Sequence, residues 1–577
     1  MRAARSLENL RDFIEVARGK HPADLVLKNG KIVNVLSGEI HDGNIAIWKE
    51  TIAGIGDYQS DVEVDLRGSY VAPGFIDGHV HVESSKLLLS EYARAVIPRG
   101  TTAAVIDPHE IANVLGVEGI RFMLASSREL PASIYVMLSS CVPATNLETS
   151  GHRLSAAELV PLLEQERVLG IAEVMNYPGV LAGDGEVLEK ILLGGGRRVD
   201  GHAPGLTGKD LCAYIGAGIR SDHECTTAAE ARDKLRLGMY VMIREGSVAR
   251  NLADLLPAVT AENSRRVLFA SDDRGPEDLW EEGHLDFMVR KAVSLGMKPV
   301  TAIQIATINA AAYFGLEQLG AVAPGYQADL VVLEDLERLR VLKVFKGGRL
   351  VAEEGKLLQL PSPEPITAGH GSFSVDWSGL SRLSVAAQGE RIRVMELIPG
   401  QILNRSVMAK AKVEDGFVVS DPDNDILKLS VVERHHATGN VGVGFVKGFG
   451  LKGGALGSSV AHDSHNIIVV GASDEEMKAA ACEVADMGGG QVVVKGGSRV
   501  AALPLPVAGL MSDRALGDVV VASRELKRAA QKLGCLLQDP FMALSFLALP
   551  VIPELRITDR GLVDVRRAEF VPLFGES

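Results

Sequence analysis

Two histidines separated by a single residue, His79 and His81, lie near the end of an apolar run. The run includes the motif Pro-Gly-Phe-Ile-Asp at residues 73–77. The run is rich in β-branched residues, which predicts a buried strand at residues 71–82. Because side chains alternate between the two faces of a strand, Asp77 and both histidines are expected to point the same way. Two imidazoles so placed can bind one transition-metal ion. The alternative is two core histidines with satisfied hydrogen bonds, but ionisable groups are rarely buried without a function.

The motif around these histidines is similar to a known pattern. Gly-Phe-Ile-Asp-x-His-x-His at residues 74–81 resembles the first metal-binding strand of the amidohydrolase superfamily. The next four residues, Val-Glu-Ser-Ser at residues 82–85, resemble the adenine deaminase branch of that superfamily. The resemblance extends over essentially the whole chain and implies a metal-dependent hydrolase.

Length, charge and composition exclude several classes of protein. A chain of 577 residues exceeds one hydrophobic core, so two or three domains are expected. The net charge of −14, without a basic stripe, argues against a nucleic-acid partner. Residues 1–20 lack a signal-peptide core, and no run approaches the ~20 apolar residues of a membrane span. Five cysteines without a Cys-x-x-Cys motif indicate a reducing compartment, so we expect a cytoplasmic protein with no membrane partner.

Between residues 73 and 318, eight strand-like runs alternate with helical segments. Eight such units over about 250 residues are the size of a (β/α)₈ barrel, whose catalytic groups lie at the C-terminal ends of its strands. Each run ends in polar or ionisable residues, as a catalytic barrel requires. The expected strands are residues 74–82, 101–106, 133–139, 168–175, 198–202, 218–223, 240–244 and 266–271.

Strand-like pieces also lie on both sides of the barrel. A leading helix is expected in residues 1–20, and residues 21–72 predict short strands with a hairpin at Asn29-Gly30. Strands return in residues 319–359. The simplest arrangement joins both sets into one β-sandwich beside the barrel.

The C-terminal part of the chain differs from the barrel. Residues 360–370, rich in Pro and Gly, predict a linker. Residues 371–577 predict an α+β domain, with a helix that Ser473 opens and a hairpin at residues 496–497. Adenine deaminases carry such a block, whereas amidohydrolases in general do not. The predicted fold is therefore α/β: a TIM-like barrel, a flanking β-sandwich and a C-terminal α+β domain.

Ionisable residues stand at the ends of five barrel strands and predict a binuclear metal centre. Four histidines and two carboxylates suit two divalent ions that a carboxylate bridges. Many binuclear amidohydrolases use a carbamylated lysine as that bridge, but the fourth strand has Glu173 and no lysine, a pattern that the adenine deaminase family shares. Mn²⁺ or Fe²⁺ is expected, and Zn²⁺ suits the same ligands. The predicted ligands are His79, His81, Glu173, His202, His223 and Asp272.

The resemblance also implies a reaction. A metal-activated hydroxide would attack C6 of adenine and release ammonia, leaving hypoxanthine, as in purine salvage. The enzyme would be a hydrolase acting on a C–N bond of a cyclic amidine. Asp272 is expected to accept the hydroxide's proton and help deliver it to the leaving amine. Its neighbour Asp273 would face the opposite way, to contact substrate or to cap the next helix.

A second acid is needed to protonate the purine ring. Four residues after the first two strands are candidates for this proton transfer: Glu83, Asp107, His109 and Glu110. His109 is alternatively a further metal ligand. Arg244 and Glu245, after the seventh strand, could contact the purine edge. For all of these residues, ordinary capping or salt bridging is an equally good interpretation.

Two polar clusters in the C-terminal region have no role that the barrel explains: residues 433–436, with two histidines, and residues 462–465, with two more. They could close over the barrel mouth or bind a third ion, and solvated loops are the simpler interpretation. The alternative enzyme class is a hydrolase of cyclic amides or imides, and a non-catalytic scaffold of the same fold is a further alternative. A multidomain barrel of this kind is often a symmetric homo-oligomer, here a dimer or tetramer.

Overall fold

The computed structural model describes residues 6–358, 369, 371–398 and 401–575. The predicted linker at residues 360–370 therefore lies outside the described residues, except for Gly369. Over these described ranges, no helix combines the length and apolar character needed to cross a membrane.

The first described element is the helix α1 (Leu7–Ala17). It begins after Ser6 because the Ser6 side chain accepts a hydrogen bond from the Asn9 N–H at 3.1 Å.

Five strands precede the barrel. The predicted hairpin at Asn29-Gly30 is wrong, because the first strand runs straight through both residues. Its pairing with the second strand shifts register there, and Asn29 has a φ of 56°. An Asn-Gly pair accepts positive φ at a β-bulge as readily as at a turn. The strands are β1 (Leu25–Asn34), β2 (Glu39–Trp48), β3 (Thr51–Ile55), β4 (Glu63–Asp65) and β5 (Tyr70–Pro73).

The eight barrel strands fall within the runs predicted from the sequence. They are β6 (Phe75–Val80), β7 (Thr101–Ile106), β8 (Ser133–Leu138), β9 (Val168–Val174), β10 (Arg198–Gly201), β11 (Ser221–Asp222), β12 (Tyr240–Arg244) and β13 (Val267–Ala270). The helices around them are α2 (Leu89–Val96), α3 (His109–Leu115), α4 (Val117–Ser126), α5 (Ala156–Leu163), α6 (Tyr177–Ala182), α7 (Gly185–Leu193), α8 (Gly208–Gly216), α9 (Ala228–Arg236), α10 (Leu252–Leu255), α11 (Pro276–Glu281), α12 (Leu285–Ser294), α13 (Pro299–Ile305) and α14 (Ile308–Phe314).

The barrel consists of two parallel sheets, β6 to β10 and β11 to β13, which meet at two seams. At the first seam a parallel bridge joins Val80 to Asp272, and the Asp272 N–H donates to the carbonyl of His79 at 3.0 Å. At the second seam the Arg220 N–H donates to the carbonyl of Val199 at 3.0 Å. These contacts close the eight strands into a ring.

A buried ion pair reinforces the second seam. Lys234 of α9 donates to the carboxylate of Asp222 at 2.9 Å and to the carbonyl of Ala203 at 2.7 Å. The Asp222 carboxylate also accepts the Ala203 N–H at 2.8 Å. Although burial alone would raise it, the Lys234 ammonium lowers the pKa of Asp222 to about 2. Since Ala203 follows His202 and Asp222 precedes His223, this pair fixes the ends of two strands that carry predicted ligands.

The strands on either side of the barrel join in one nine-stranded sheet. After the barrel come β14 (Leu330–Leu333), β15 (Val341–Lys346), β16 (Arg349–Glu353) and β17 (Lys356–Leu357). The order is β17-β16-β15-β14-β5-β1-β2-β3, with β4 paired to β1. The two sets of strands combine as the sequence predicts, but they do so in one continuous sheet. The sandwich arrangement and the exact domain boundaries stay predictions.

The C-terminal region is built on an eight-stranded sheet of order β20-β19-β24-β23-β26-β25-β27-β28. Ser473 caps its first helix, and the β27–β28 hairpin turns at Gly496-Gly497, as predicted. The elements are β18 (Val385–Ala386), β19 (Arg391–Leu397), β20 (Asn404–Lys410), β21 (Lys412–Glu414), β22 (Phe417–Val419), β23 (Ile426–Val432), β24 (Val441–Lys447), β25 (Ala455–Ser458), β26 (Ile467–Gly471), α15 (Asp474–Asp486), β27 (Gly490–Lys495), β28 (Ser498–Pro504), α16 (Leu516–Lys532), α17 (Pro540–Phe546), β29 (Leu555–Thr558), β30 (Gly561–Asp564) and β31 (Glu569–Phe570).

Replacement of Lys234 by Met is expected to lower the free energy of unfolding by about 3–5 kcal/mol, because the Asp222 charge would stay buried without its partner. Urea unfolding followed by circular dichroism measures the change. The control is Arg236→Met on the same helix, since Arg236 pairs with Asp233 in solvent and its loss should cost less than about 0.5 kcal/mol. Equal losses in the two variants would contradict this role of Lys234.

Candidate metal centre

The carboxylate of Glu173, near the end of β9, faces two different pairs of histidines. Its Oε1 lies 3.2 Å from His81 Nε2 and 3.6 Å from His79 Nε2. Its Oε2 lies 2.6 Å from His202 Nδ1 and 3.2 Å from His223 Nε2. One carboxylate with an oxygen toward each pair can hold two ions side by side. The structure thus brings the four predicted histidine ligands together around Glu173, itself the fifth predicted ligand.

The sixth, Asp272, joins the first pair. Its Oδ1 lies 3.3 Å from His81 Nε2 and 3.6 Å from His79 Nε2. Its Oδ2 accepts a hydrogen bond from Arg244 at 3.0 Å. Asp272 has a φ of 53°, a left-handed conformation that Asp adopts more readily than most residues. It is the second residue after β13, and this turn directs the carboxylate toward His79 and His81.

The donor set fits divalent cations. All six side chains are buried, and their imidazole nitrogens and carboxylate oxygens are the ligands that Mn²⁺, Fe²⁺ and Zn²⁺ accept. His202 Nε2 is buried and has no hydrogen-bond partner among the described residues. Such an atom in a native protein generally has a partner outside the chain. The group therefore could hold a cluster of metal ions.

The electrostatics keep the two carboxylates ionised. Although burial opposes it, the imidazoles of His223 and His202 hold the pKa of Glu173 well below its usual range. A hydrogen bond from His81 and the charge of Arg244 do the same for the pKa of Asp272, again against burial. Ionised carboxylates are the form that binds cations.

Asp107 and His109, after β7, lie beside this group. The His109 Nδ1 is 2.9 Å from Asp107 Oδ2 and 3.6 Å from Glu173 Oε1. The backbone carbonyl of Asp107 lies 3.0 Å from His81 Nδ1, and its Oδ1 accepts from Ser139 at 3.0 Å. Asp107 thus orients two imidazoles, as carboxylates and carbonyls do for metal-binding histidines. The position of His109 suits either of its predicted roles.

Glu83 and Glu110 lie on the same side of the centre. Glu83 Oε1 accepts the Ile111 N–H at 3.2 Å, and Glu110 Oε1 lies 3.2 Å from the Ser84 hydroxyl. The Oε2 of each glutamate is buried without a hydrogen-bond partner in the described chain. Burial raises the pKa of Glu83, and it raises the pKa of Glu110 well above its usual range.

Asp273 does not cap the next helix, because α11 begins at Pro276 after Gly275. Its Oδ1 instead lies 2.5 Å from the Ser84 hydroxyl, which also contacts Glu110. Asp273 therefore belongs to the same buried side of the centre as the two glutamates. This placement agrees with a substrate contact.

Arg244, the last residue of β12, and Glu245, the residue after it, have different surroundings. Arg244 donates to Asp272 and, with two nitrogens, to the carboxylate of Glu224, so it positions these carboxylates. The structure does not bring Glu245 to the centre. Its carboxylate pairs with Lys291 and accepts the Leu252 N–H at 3.0 Å, which ties it to the barrel wall.

Sequence reasoning missed Glu224, whose Oε1 lies 3.7 Å from both His202 Nδ1 and His223 Nε2. It follows His223 directly, so strand alternation would turn it away. However, β11 ends at Asp222, and alternation does not extend beyond the strand. The signal was the sequence Ser-Asp-His-Glu-Cys, with carboxylates on both sides of a predicted ligand.

The two C-terminal clusters divide into one that lies at the centre and one that does not. His462, Asp463 and His465 are buried, so the solvated-loop interpretation does not fit them. Asp463 Oδ2 lies 3.7 Å from His109 Nε2. In the other cluster, Glu433 and Arg434 are also buried, so this cluster is not a solvated loop either. Its His436 Nε2 lies 3.0 Å from the carbonyl of Ser150, in a barrel loop.

Comparisons with known proteins cover nearly the whole chain. The amidohydrolase family model matches residues 70–351, and the model of the adenine deaminase C-terminal domain matches residues 401–569. Adenine deaminase 2 of Carboxydothermus hydrogenoformans is 51% identical over 568 residues, which are 98% of this chain and 100% of that protein. Adenine deaminase of Desulfatibacillum aliphaticivorans is 51% identical over 97% of this chain and 99% of its own length. Adenine deaminase of Kosmotoga olearia is 48% identical over 98% of this chain and 99% of its own length.

Replacement of Glu173 by Gln is expected to lower the metal content of the purified protein from the predicted two ions per chain to one or none, because an amide offers a single weak oxygen ligand. Elemental analysis after gel filtration measures it. The control is Glu166→Gln, an exposed glutamate just before β9, which should retain both ions. Retention of two ions by Glu173→Gln would show that this carboxylate is not the bridge.

Proposed function

The chain belongs to the adenine deaminase family, and from that premise we propose that it hydrolyses adenine to hypoxanthine and ammonia. The observation that carries the proposal is the carboxylate of Glu173, with one oxygen toward each of two histidine pairs at the C-terminal ends of the barrel strands. A centre of this composition suits hydrolysis, since imidazoles and carboxylates can bind cations and transfer protons.

Bound ions would be held by His79, His81 and Asp272 on one side of Glu173 and by His202 and His223 on the other, with the Glu173 carboxylate available to both. Two divalent ions, when bound, lower the pKa of water and so supply hydroxide at neutral pH. Mn²⁺ or Fe²⁺ is the proposed pair, and Zn²⁺ suits the same donors.

Asp272 is proposed to move the proton of the attacking water. Its Oδ2 is held by Arg244 at 3.0 Å, and its Oδ1 faces His79 and His81. A carboxylate kept ionised by its neighbours can accept the proton as the C–O bond forms at C6. It can then give that proton to the amino group, which departs as ammonia.

Glu110 is proposed to protonate the purine ring. Burial raises its pKa well above the usual range, which favours the protonated form that can act as an acid. Its Oε2 has no hydrogen-bond partner in the described chain and can donate to a ring nitrogen as electron density moves into the ring. Glu83, with the same features in weaker form, is the second candidate. Because these groups are buried, bulk water does not compete for the proton.

Ammonia release from adenine is the direct test of the function. Protein reconstituted with Mn²⁺ should release ammonia from adenine and not from adenosine or cytosine. Chelation should abolish the activity, and added Mn²⁺ should restore it. Metal-loaded protein that leaves adenine unchanged but opens dihydroorotate or hydantoin would overturn the proposal in favour of cyclic-amide hydrolysis.

Replacement of Glu110 by Gln should lower kcat for adenine by about 10²–10⁴-fold, the range for loss of a general acid, without loss of metal. Steady-state kinetics and elemental analysis on the same preparation measure both. Glu118→Gln on α4, an exposed glutamate, is the control and should behave as the wild type. If Glu110→Gln keeps full kcat and Glu83→Gln loses it, the ring acid is Glu83.

A further inference from the structure

The loop between β25 and β26, residues 459–466, brings side chains of the C-terminal region to the barrel mouth. Asn466 Nδ2 donates to the carbonyl of Thr149, in a barrel loop, at 2.8 Å. The buried guanidinium of Arg434 donates to the carbonyl of His465 and, at 2.8 Å, to that of Ala508. The loop is therefore fixed from both sides, and its side chains have defined positions.

Several polar atoms at this boundary have no hydrogen-bond partner among the residues that the structure describes. They share burial within the protein and a position between the loop and the barrel. They are His462 Nε2, Asp463 Oδ2 and His465 Nε2 of the loop, and Glu83 Oε2 and Glu110 Oε2 of the barrel. Native proteins rarely leave one such atom unsatisfied, because its desolvation is costly. So many together indicate a polar ligand that supplies the missing partners.

The distances place this group beside the metal centre. His109 spans the gap, with Nδ1 3.6 Å from Glu173 Oε1 and Nε2 3.7 Å from Asp463 Oδ2. His462 Nδ1 lies 3.4 Å from Glu110 Oε1, the carboxyl of the proposed ring acid. A substrate whose reacting carbon lies at the metal ligands therefore presents its far side to His462 and Asp463.

The chemistry of the group suits a flat heteroaromatic ring. His462 lies parallel to the ring of Phe546, with 4.7 Å between centroids and 25° between planes, so an aromatic surface borders the polar atoms. A carboxylate accepts hydrogen bonds from a ring N–H, and an imidazole can donate to a ring nitrogen. Proteins recognise nucleobases in this way, by stacking and by hydrogen bonds to the base edge.

We propose that His462 and Asp463 bind the five-membered-ring edge of the purine, with the Asp463 carboxylate accepting the ring N–H that a nucleoside replaces with ribose. The inference rests on the proposed function and extends it: the barrel supplies the metal ligands and the proton transfers, and the C-terminal region selects a free base. Loss of either side chain should weaken base binding and leave the metal ions in place.

The test compares binding of hypoxanthine with that of 9-methylhypoxanthine, by equilibrium dialysis with the Mn²⁺-loaded full-length protein. The wild type should prefer hypoxanthine by tenfold or more, since the methyl group removes the N–H. In Asp463→Asn this preference should fall to within about threefold.

Steady-state kinetics give a second test. For Asp463→Asn and His462→Gln, KM for adenine should rise at least tenfold, with kcat changed less and two ions retained. His436→Gln is the matched control, because this histidine also contacts a barrel loop but lies outside the group.

Two results would overturn the inference. One is a preference for hypoxanthine in Asp463→Asn as large as in the wild type. The other is a wild-type content of three ions per chain that drops to two in His462→Gln, which would make the group a metal site. Failure of the proposed function is a separate outcome: the wild type would release no ammonia from adenine. The dialysis experiment does not depend on turnover and would still test the role of Asp463.

Discussion

The carboxylate of Glu173 lies between two pairs of imidazoles, and the other buried groups are arranged around it. A charge in this position is costly unless every neighbour compensates it. The first pair comes from β6, the second from the ends of β10 and β11, and both are reached because the barrel is a closed ring. The two seams of the ring lie where the proposed ligands are, so barrel closure and the metal centre depend on each other.

Two basic residues outside the predicted ligand set hold the ligands and their neighbours in position. Arg244 holds Asp272 and Glu224, while Lys234 holds Asp222 and the backbone beside His202. Each of these cations is buried and each satisfies more than one carboxylate or carbonyl. This outer layer fixes the side-chain directions before any metal arrives, which reduces the entropy lost on binding.

Much of this organisation could be predicted from the sequence because parallel barrel strands are buried, continuous apolar runs with ionisable ends. Local rules failed where a residue's surroundings decide its role. The Asn29-Gly30 pair marks a bulge, since positive φ serves several backbone shapes. Glu224 was missed because alternation stops where the strand stops. Burial of His462 and Asp463 depends on contacts with residues far away in the chain, which a local pattern does not contain.

The shared sheet has a consequence for how the chain assembles. β5 lies between β1, which precedes the barrel, and β14, which follows it. During synthesis, β1 to β5 leave the ribosome first, and the edge of β5 that pairs with β14 stays unpaired until the entire barrel has been synthesised. Long-range pairing of this kind is slow, and open strand edges invite association with other chains. The nascent chain is therefore most open to association with other chains in the interval between synthesis of β5 and synthesis of β14.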